Sequence, residues 1–514
     1  MRRWLWLMSC CVVVSCDDGR GGTPSPADTS QEVAADQSEL PPEMVLRLEV
    51  EVVDPAPRGV PLVIAVRADA AVTTQLTLWV GDEGHALRLY RGRGSIPYVA
   101  SAAGEMSLRV TAPHVLLRSS FMVAPREVAW KTERISAGEE TWLVVDEGGL
   151  DVGIEGTLRV DAGARLRIGP GVRVLLGEKA RLVVEGELVI EGSAAAPVLF
   201  TRAGAAAWGG VHLRHGATGV LHHAWFVGGG GDEGRALGHS NSQPVVLVDD
   251  GRLEMVGGGL VDNVGKAVAS RRAEVVLRGV LVSRCDTGGE LMESVALIDG
   301  CHFVEIPDAD GIAEDDDNDG IYLLSALERD GVTLQSVVRD TVFAMGEDDG
   351  IDHNNALVRV ERCWIEGFAN EGVAASAGRR IEVVDTVVQG CEQGIEAGYG
   401  APEVIVERTV VRDCDVGLRI GDSYDWEVSG SMTVRQSVVT GNRLHNVWNH
   451  VNALGGPLEG ALEITCSAVD SDGWDGSNDN VAGAVVLDAE GCAVLPWVES
   501  LWCDAGAMGL TRCE

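Results

Sequence analysis

Residues 153–192 read GIEGTLRVDAGARLRIGPGVRVLLGEKARLVVEGELVIEG, a run of very short apolar strands broken by glycine. Helices need longer periodic runs, and the strands of sandwiches are longer than the three to five residues found here. Brief Val-, Ile- and Leu-rich strands with tight corners predict a parallel β-helix, in which each coil buries its inward side chains against the next. The predicted strands are Thr157–Val160, Arg165–Ile168, Val172–Leu176, Leu182–Val184 and Leu188–Ile190.

A repeat continues through the later part of the chain. Thr341, Cys363, Thr386, Thr409 and Ser437 each begin an apolar strand, at spacings of 22, 23, 23 and 28 residues. A Gly–apolar or Asn–apolar pair follows each of them eight or nine residues later. This period suits one coil of a three-sided β-helix, and the 65 glycines suit its tight corners. We therefore predict an all-β chain with a β-helical solenoid over 134–500 and a C-terminal tail or cap at 501–514.

Two short motifs carry a family resemblance. The turn at 208–211 (Trp-Gly-Gly-Val) and the ending at 503–506 (Cys-Asp-Ala-Gly) are similar to those of the pectate-lyase-like superfamily. On these motifs, about 136 to 510 resembles right-handed parallel β-helix proteins. The resemblance implies a right-handed solenoid. More narrowly, residues 317–323, 348–352 and 393–400 resemble recurring motifs of uncharacterised secreted β-helix proteins.

Two enzyme families of this superfamily can be compared with the chain. Residues 318–319 (Asn-Asp) and 348–349 (Asp-Asp) resemble the first two polygalacturonase motifs, but the later Gly-His-Gly motif has no counterpart. Residues 351–353 (Ile-Asp-His) resemble part of a pectate-lyase segment, but the Arg-x-Pro-x-x-Arg segment is missing. A β-eliminating lyase also needs a Lys or Arg base, and the chain has three lysines. The resemblance therefore implies no particular reaction.

The N-terminus predicts export. Residues 1–15 read MRRWLWLMSCCVVVS, two arginines followed by an apolar run too short for a permanent membrane span. The ending Val-Val-Ser-Cys resembles a bacterial lipoprotein signal, so we predict that 1–15 is removed and that Cys16 is acylated. An ordinary signal peptide is the alternative. Residues 16–42, rich in Gly, Pro, Ser, Thr and acid, predict a disordered tether. We expect an exported protein held on the outer membrane or cell surface by acyl chains.

Residues 43–128 form a separate predicted unit. Short alternating strands are separated by proline and glycine turn signals, a pattern typical of a β-sandwich. The unit resembles the immunoglobulin-like modules of bacterial surface proteins, and we predict that it is a spacer.

The charge balance restricts the partners. The formal charge is −37, from 78 acidic and 41 basic residues. A nucleic-acid-binding protein needs a basic face, so nucleic acid is excluded. The balance is compatible with cation binding and with solubility outside a cell. We expect a monomer.

An acidic insertion is the sharpest local feature. Asp315, Asp317 and Asp319 precede Gly320 in a D-x-D-x-D-G pattern. Alternate carboxylates in a tight turn can converge on one hard cation, so these three residues are candidate calcium ligands. The glutamate expected at loop position 12 is replaced by Ala326, and a solvated acidic loop is the alternative.

A second acidic segment follows one coil later. Its candidate catalytic residues are Asp348, Asp349 and Asp352. Stacking places carboxylates of successive coils in columns about 4.8 Å apart. Carboxylates that close must bind a cation, share protons or pair with arginine. Three interpretations stay open: a metal or ligand site, general acid–base groups for glycoside cleavage, and a solvated corner. The candidate ligand-binding residues in the same columns are Glu371, Glu392 and Glu396.

Aromatic residues mark two later loops. Tyr424, Trp426 and Trp448 lie beside Asp and His residues, where they can stack on sugar rings or cap the end of the solenoid.

The cysteines suit an exported chain. Cys391 and Cys414 occupy equivalent positions of adjacent coils and could form a disulfide or a ladder of free thiols. Four cysteines within the last 50 residues could form one or two disulfides.

Together these features favour a structural or carbohydrate-binding surface protein with a calcium-binding acidic face, and we do not favour an enzyme. The alternative is a divergent polysaccharide lyase or glycoside hydrolase acting on an acidic polysaccharide. An enzyme would need two carboxylates, or a calcium ion with an arginine, together on one face.

Overall fold

A computed structural model describes most of the chain. The described residues are 45–112, 114–125, 128–131, 134–136, 138–142, 150–306, 317–421, 430–449, 462–469, 481–482, 486–487 and 493–494. The predicted signal peptide, Cys16, the tether and the tail at 501–514 lie outside them, so those assignments stay predictions. The part of the chain that the structure describes contains no helix with the length and apolarity needed to cross a bilayer.

Nine strands form an N-terminal unit of two sheets. The sheet orders are β6-β3-β1-β8 and β2-β9-β7-β4-β5, and residues of both sheets share one apolar core. The immunoglobulin-like resemblance of this unit stays a prediction. The strands are β1 (Leu46–Glu51), β2 (Ala56–Pro57), β3 (Pro61–Ala68), β4 (Thr74–Val80), β5 (Glu83–Leu89), β6 (Arg93–Val99), β7 (Gly104–Val110), β8 (Val115–Leu116) and β9 (Arg118–Ala124).

The rest of the chain is a parallel solenoid with a 3-10 turn at Glu233–Arg235. Its strands are β10 (Val128–Lys131), β11 (Glu139–Trp142), β12 (Leu150–Ile154), β13 (Thr157–Val160), β14 (Arg165–Ile168), β15 (Val172–Leu176), β16 (Arg181–Val184), β17 (Glu187–Glu191), β18 (Val198–Arg202), β19 (Val211–Arg214), β20 (Thr218–Val227), β21 (Val246–Asp249), β22 (Arg252–Asn263), β23 (Val268–Arg271), β24 (Glu274–Arg278), β25 (Leu281–Cys285), β26 (Gly289–Asp299), β27 (His302–Ile306), β28 (Ile321–Ala326), β29 (Glu328–Arg329), β30 (Val332–Thr333), β31 (Ser336–Arg339), β32 (Val342–Gly346), β33 (Ile351–Asn354), β34 (Val358–Glu361), β35 (Trp364–Phe368), β36 (Glu371–Ser376), β37 (Arg380–Val384), β38 (Val387–Gln389), β39 (Gln393–Ala397), β40 (Glu403–Glu407), β41 (Val410–Arg412), β42 (Val416–Ile420), β43 (Ser431–Arg435), β44 (Val438–Thr440), β45 (His445–Asn449), β46 (Leu462–Thr465), β47 (Ala468–Val469), β48 (Val481–Ala482), β49 (Val486–Leu487) and β50 (Ala493–Val494).

Each coil contributes one strand to each of three faces. In one coil, β32 lies on face 1, β33 on face 2 and β34 on face 3, and β35 returns to face 1 above β32. β29 with β30 and β49 with β50 form two separate antiparallel pairs outside the long sheet. Each strand of the long sheet pairs in parallel with its equivalent in the next coil, which confirms the predicted right-handed parallel β-helix, the hand that parallel crossovers adopt. Face 2, which matters below, contains β13, β16, β19, β21, β23, the first half of β26, β28, β33, β36, β39, β42 and β45.

Inward side chains stack in columns along the solenoid. On face 2, Ile351, Val373 and Ile395 are partners in successive coils and are completely buried. Phe303 and Phe343 stack with ring centroids 5.0 Å apart. Full burial of such a side chain stabilises the fold by about 1.5–3 kcal/mol. Because stacked aliphatic columns fill most of the core, the solenoid needs few aromatic side chains for its stability.

The repeated small polar residues form a ladder inside the corner between faces 3 and 1. The backbone N–H of Cys363 donates to Thr386 Oγ1 at 3.2 Å, and that of Thr409 donates to Ser437 Oγ at 3.2 Å. A hydroxyl at this position thus satisfies a buried donor of the neighbouring coil. This hydrogen bonding explains the period seen in the sequence.

The corner residue before Thr341, Cys363, Thr386 and Thr409 has a left-handed backbone and a charged side chain. Asp340, Arg362, Asp385 and Arg408 have φ values of 51°, 51°, 50° and 47°. Arg362 pairs with Asp340 at 2.8 Å, and Arg408 pairs with Asp385 at 2.7 Å. Stacking thus neutralises part of the large negative charge locally.

The N-terminal unit packs along face 1. Leu199, Trp225 and Leu281 point outward from the solenoid and belong to the same apolar core as the N-terminal strands. Arg93 is almost completely buried at this junction and donates to the carbonyl of Gly279 at 2.8 Å. The unit is therefore docked on the solenoid, and its role as a spacer stays a prediction.

Five described cysteines of the solenoid are buried: Cys285, Cys301, Cys363, Cys391 and Cys414. Cys391 and Cys414 are free thiols, as are three others in the coils, so the thiol-ladder alternative applies. Cys466 is disulfide-bonded. The remaining cysteines of the C-terminal group lie outside the described residues.

Candidate active site

The predicted acidic residues meet on face 2. Parallel pairing stacks Glu290, Tyr322 and Asp352 in one outward column, with Ala374 next. The corner before these strands carries a column of glycines. A Cβ on Gly320 would approach the carbonyl oxygen of Gly350 to 2.4 Å, so only glycine permits this coil spacing. The close approach of the coils at these glycines therefore holds the flanking acids of successive coils near one another.

Five residues from two consecutive coils form what we call the aspartate cluster: Asp317, Asp319, Asp348, Asp349 and Asp352. Carboxylate oxygens of Asp319, Asp348 and Asp349 lie within 4.8 Å of one another. Asp319 and Asp349 are buried, with exposed fractions of 1% and 6%, whereas Asp348 and Asp352 are partly exposed. The cluster therefore has a buried floor and an accessible rim.

Few donors compensate the charge of the aspartate cluster. Asp349 Oδ1 accepts the backbone N–H of Glu371 at 2.8 Å, and Asp348 Oδ1 accepts from Asn370 Nδ2 at 3.1 Å. Asp319 Oδ1 is buried and has no hydrogen-bond partner among the described residues. A buried carboxylate with so little compensation is unstable in its ionised form.

The protonation states of the cluster are consequently divided. Burial, reinforced by the neighbouring carboxylates, holds the pKa of Asp319 and Asp349 well above the usual range. Burial and the nearby Glu371 raise the pKa of Asp348 to about 6, against the hydrogen bond from Asn370. Burial raises the pKa of Asp352 to about 8, with Asp348 adding to the effect and His239 opposing it. At pH 7 the cluster thus holds both protonated and ionised carboxyl groups.

A histidine from a distant loop completes the site. His239 Nδ1 lies 3.1 Å from Asp317 Oδ1, and its ring stacks on Tyr322 with centroids 4.9 Å apart. A nitrogen of His239 also lies within 4.8 Å of oxygens of Asp319 and Asp352. The hydrogen bond to Asp317 raises the pKa of His239. This loop, residues 228–244, joins β20 to β21 and lies about 80 residues before the aspartates in the chain.

The loop is anchored by a buried ion pair. Lys266 Nζ donates to Glu290 and to the carbonyl of Leu237 at 2.7 Å, and both charged side chains are almost completely buried. Glu290 also accepts the N–H of His239 at 3.0 Å. Sequence reasoning missed all of these residues. The available signals were a polar run after the glycines of 228–231 and one of only three lysines.

The predicted ligand-binding glutamates have different environments. Glu371 and Glu396 are buried, and Arg419 lies 3.7 and 3.6 Å from them. Gln393 donates to Glu371 and accepts from Arg419. Glu392 is exposed to solvent more than Glu371, and burial with Glu371 raises its pKa. Glu371 and Glu396 therefore belong to an internal network beside the aspartate cluster.

The other predicted site residues lie away from the aspartate cluster or outside the described residues. Trp448 follows Arg419 in the outward column and is 38% exposed. Asp315, Tyr424 and Trp426 lie outside the described residues. Asp317 and Asp319 are described. The possible metal ligands grouped with Asp319 come from other parts of the chain and not from the predicted D-x-D-x-D-G loop.

The histidine of the segment 351–353, which resembles part of a pectate-lyase segment, does not face the site. His353 points into the solenoid, is completely buried, and its Nε2 lies 2.5 Å from the carbonyl oxygen of Ala356. Burial lowers its pKa to about 4. The histidine of this segment therefore has a structural position, and Asp352 alone faces outward.

Comparison with known proteins gives structural matches only. No protein-family model matches the chain, and no curated protein matches it. The periplasmic alginate epimerase AlgG matches at a TM-score of 0.35 and 10% identity, over 62% of this chain and 76% of that one. The Azotobacter vinelandii mannuronan C-5 epimerase AlgE6 A-module matches at a TM-score of 0.26 and 12% identity, over 65% and 87% of the chains. The catalytic domain of a GH87 alpha-1,3-glucanase matches at a TM-score of 0.28 and 10% identity, over 85% and 89%.

Proposed function

We propose that this chain is an exported glycoside hydrolase that cleaves a polysaccharide on face 2. The observation that carries the proposal is the geometry of the aspartate cluster: oxygens of Asp319, Asp348 and Asp349 lie within 4.8 Å of one another, and Asp348 and Asp352 are partly exposed beside the buried members. Hydrolysis of a glycosidic bond needs one protonated carboxyl group and one carboxylate near the same bond. A pair of carboxyl groups whose environments separate their pKa values supplies that combination.

The roles follow from the two partly exposed members of the cluster. Asp352, with a pKa of about 8, is protonated at pH 7 and would donate a proton to the leaving oxygen. Asp348, with a pKa of about 6, is mostly ionised and would act as the base or nucleophile. The buried Asp319 and Asp349 lie within 4.8 Å of Asp348, and burial raises the pKa of both, so they form a floor of protonated carboxyl groups beneath it. These are positioning residues in the proposal.

Hydrolysis is favoured over β-elimination because the basic side chains of the described site are engaged. His239 lies 3.1 Å from Asp317 Oδ1, and that hydrogen bond raises its pKa, which favours the protonated ring over a free base. Lys266 is buried and engaged by Glu290, and His353 faces the core. Arg419 is engaged by Gln393 and by the carbonyl of Gly421 at 2.7 Å. The arrangement of acids therefore moves the preference from a binding protein, which the sequence favoured, to a hydrolase.

Cation binding at the same cluster is the second candidate, because Asp319 Oδ1 is buried without a partner. Calcium prefers oxygen ligands, which Asp319, Asp348 and Asp349 offer within one small space. The nitrogen of His239 beside Asp319 suits a transition metal better than calcium. A bound cation would lower the pKa of the aspartates and so compete with the acid role of Asp352.

Anchoring to a bacterial membrane through Cys16 remains part of the proposal. It is supported by the sequence before Cys16, and it would hold the solenoid close to extracellular polysaccharide. Labelling with a radioactive fatty acid in a bacterial host, compared between wild type and Cys16→Ala, tests it directly.

The decisive experiment is release of reducing sugar from neutral and uronate polysaccharides, with calcium and with EDTA. We expect cleavage of at least one of them, with a loss of at least 100-fold in kcat for Asp352→Asn and for Asp348→Asn. Asp340→Asn, which changes an exposed aspartate at another corner, is the matched control and should keep full activity. Unchanged activity in both cluster variants, or no cleavage of any polysaccharide, contradicts the proposal.

A further inference from the structure

A second concave site lies on face 2, toward the N-terminal end of the solenoid. It is a cavity of about 290 Å³ between strands β16 to β23 and the loop 228–244. Three arginines, Arg181, Arg235 and Arg271, line it together with one acid, Asp249, and the uncharged polar side chains of His212 and Gln243. We call it the arginine cavity.

The arginine cavity is on the same face as the aspartate cluster. Outward positions pair in register from Leu247, which lines the cavity, through Ala269, Glu290 and Tyr322 to Asp352. Four coil steps of about 4.8 Å separate the two ends, a distance of about 19 Å. The loop 228–244 joins the sites, because Leu237 lines the cavity while His239 reaches the cluster.

The cavity holds positive charge that the protein does not fully neutralise. Arg181 makes no ion pair within the described residues, and its Nε is buried without a hydrogen-bond partner. Burial and the neighbouring Arg235 lower its pKa. Arg271 pairs with Asp249 at 3.3 Å. The ion pair between Arg235 and Asp232 is long, at 3.9 Å, and 60% of the Arg235 side chain is exposed. Two guanidinium groups therefore remain available to a ligand.

Histidine adds a donor or acceptor without adding charge. His212 Nε2 is buried and has no hydrogen-bond partner among the described residues. Burial, with Arg214 as the next contribution, lowers the pKa of His212 to about 4, so the ring is neutral at pH 7. Such a ring can bond a sugar hydroxyl beside a charged group.

We propose that the arginine cavity binds an anionic group, a carboxylate or a sulfate, carried by the same polysaccharide whose bond the aspartate cluster cleaves. A guanidinium group binds either oxyanion through paired N–H donors. In a chain with a formal charge of −37, an acidic polymer is repelled from most of the surface, so a local cationic site determines where it binds. Arg181 lies two coils further from the cluster than Leu247, so a ligand that reaches both sites must span at least about 19 Å, which requires an oligosaccharide of several units. The inference rests on the proposed function for the identity of the polymer, but the cavity can be tested alone.

The test measures binding by calorimetry with three oligosaccharides of equal length: oligogalacturonate, its methyl ester, and a sulfated oligosaccharide. The proteins are wild type, Arg181→Met, the double variant Arg181→Met/Arg235→Met, and Arg362→Met as a matched control at an ion-paired corner. Melting temperatures of all variants show whether each one is folded.

We expect one of the two anionic probes to bind wild type, with weaker binding at high salt. The Kd should rise at least 10-fold in the double variant and by less in the single one, and it should not change in Arg362→Met. Equal binding of the methyl ester, or an unchanged Kd in the folded double variant, overturns the inference. Arginine-dependent binding without any cleavage refutes the hydrolase and leaves the cavity assignment standing. Cleavage at the same rate for charged and uncharged substrates supports the hydrolase and refutes the cavity assignment.

Discussion

Replacing Asp352 by asparagine should stabilise the protein at neutral pH while it removes activity. In the unfolded chain the carboxyl group ionises near its ordinary value of 3.8, whereas in the folded protein its pKa is about 8. At pH 7 folding must therefore keep this group protonated. At 1.36 kcal/mol for each tenfold difference, this requirement costs up to about 4 kcal/mol.

The sign of the pH dependence follows from the same two values. Below pH 3.8 the group is protonated in both states and has no effect on stability. As the pH rises toward about 8, only the unfolded chain ionises, so the unfolded state gains stability and the folded protein loses it. Asparagine has nearly the same shape and does not ionise. Because part of the cost is shared with the neighbouring carboxylates, we expect a gain of about 2–4 kcal/mol at pH 7.

The assay is thermal melting at pH 4 and pH 7 in EDTA, which excludes any contribution from a bound cation. Asp352→Asn should melt several degrees above wild type at pH 7, and the two curves should converge at pH 4. Asp340→Asn, which removes an exposed acid paired with Arg362, should melt at or slightly below the wild-type temperature at both values. Equal melting of Asp352→Asn and wild type at pH 7 would refute the assignment of Asp352 as a protonated acid.

Three further predictions concern catalysis, cations and the docked N-terminal unit. The rate of cleavage should follow a bell-shaped pH profile with limbs near 6 and 8, and a profile without the upper limb would exclude Asp352 as the acid. If the second candidate function is correct, calcium should raise the melting temperature of wild type but not of Asp319→Asn; a melting temperature that is independent of calcium contradicts it. Arg93→Met should cost about 1–3 kcal/mol at the junction, because the carbonyl oxygens of Gly279 and Gly258 lose a buried donor, and limited proteolysis should release the N-terminal unit faster than in wild type.

The solenoid could be predicted because its signals are local and repeated. The strand lengths of 153–192 and the 22–23-residue period are imposed by one structural requirement, the stacking of each coil on the next. That requirement also gives the recurring Thr, Ser and Cys their hydrogen bonds across the corner. The same register placed Asp348, Asp349 and Asp352 on one face, as the aligned coils indicated.

The position of the N-terminal unit could not be predicted in the same way. Its strands alternate as in an independent module, and nothing in their pattern distinguishes an exposed face from one that packs on the solenoid. The outward apolar side chains of face 1, such as Trp225 and Leu281, carry that information only once the coil faces are known.

The sequence alone thus determined the coil architecture and the list of acids, since both follow from periodicity and residue type. Tertiary structure alone decided which acids have raised pKa values, because those values depend on burial and on neighbours that are far apart in the chain. It brought His239 beside Asp352 across more than 100 residues, turned His353 into the core, and enclosed Arg181 in a cavity with Arg235. Each of these results depends on which side of a strand a residue occupies and on where a long loop folds back, and a repeat of 22–23 residues leaves the path of such a loop unspecified.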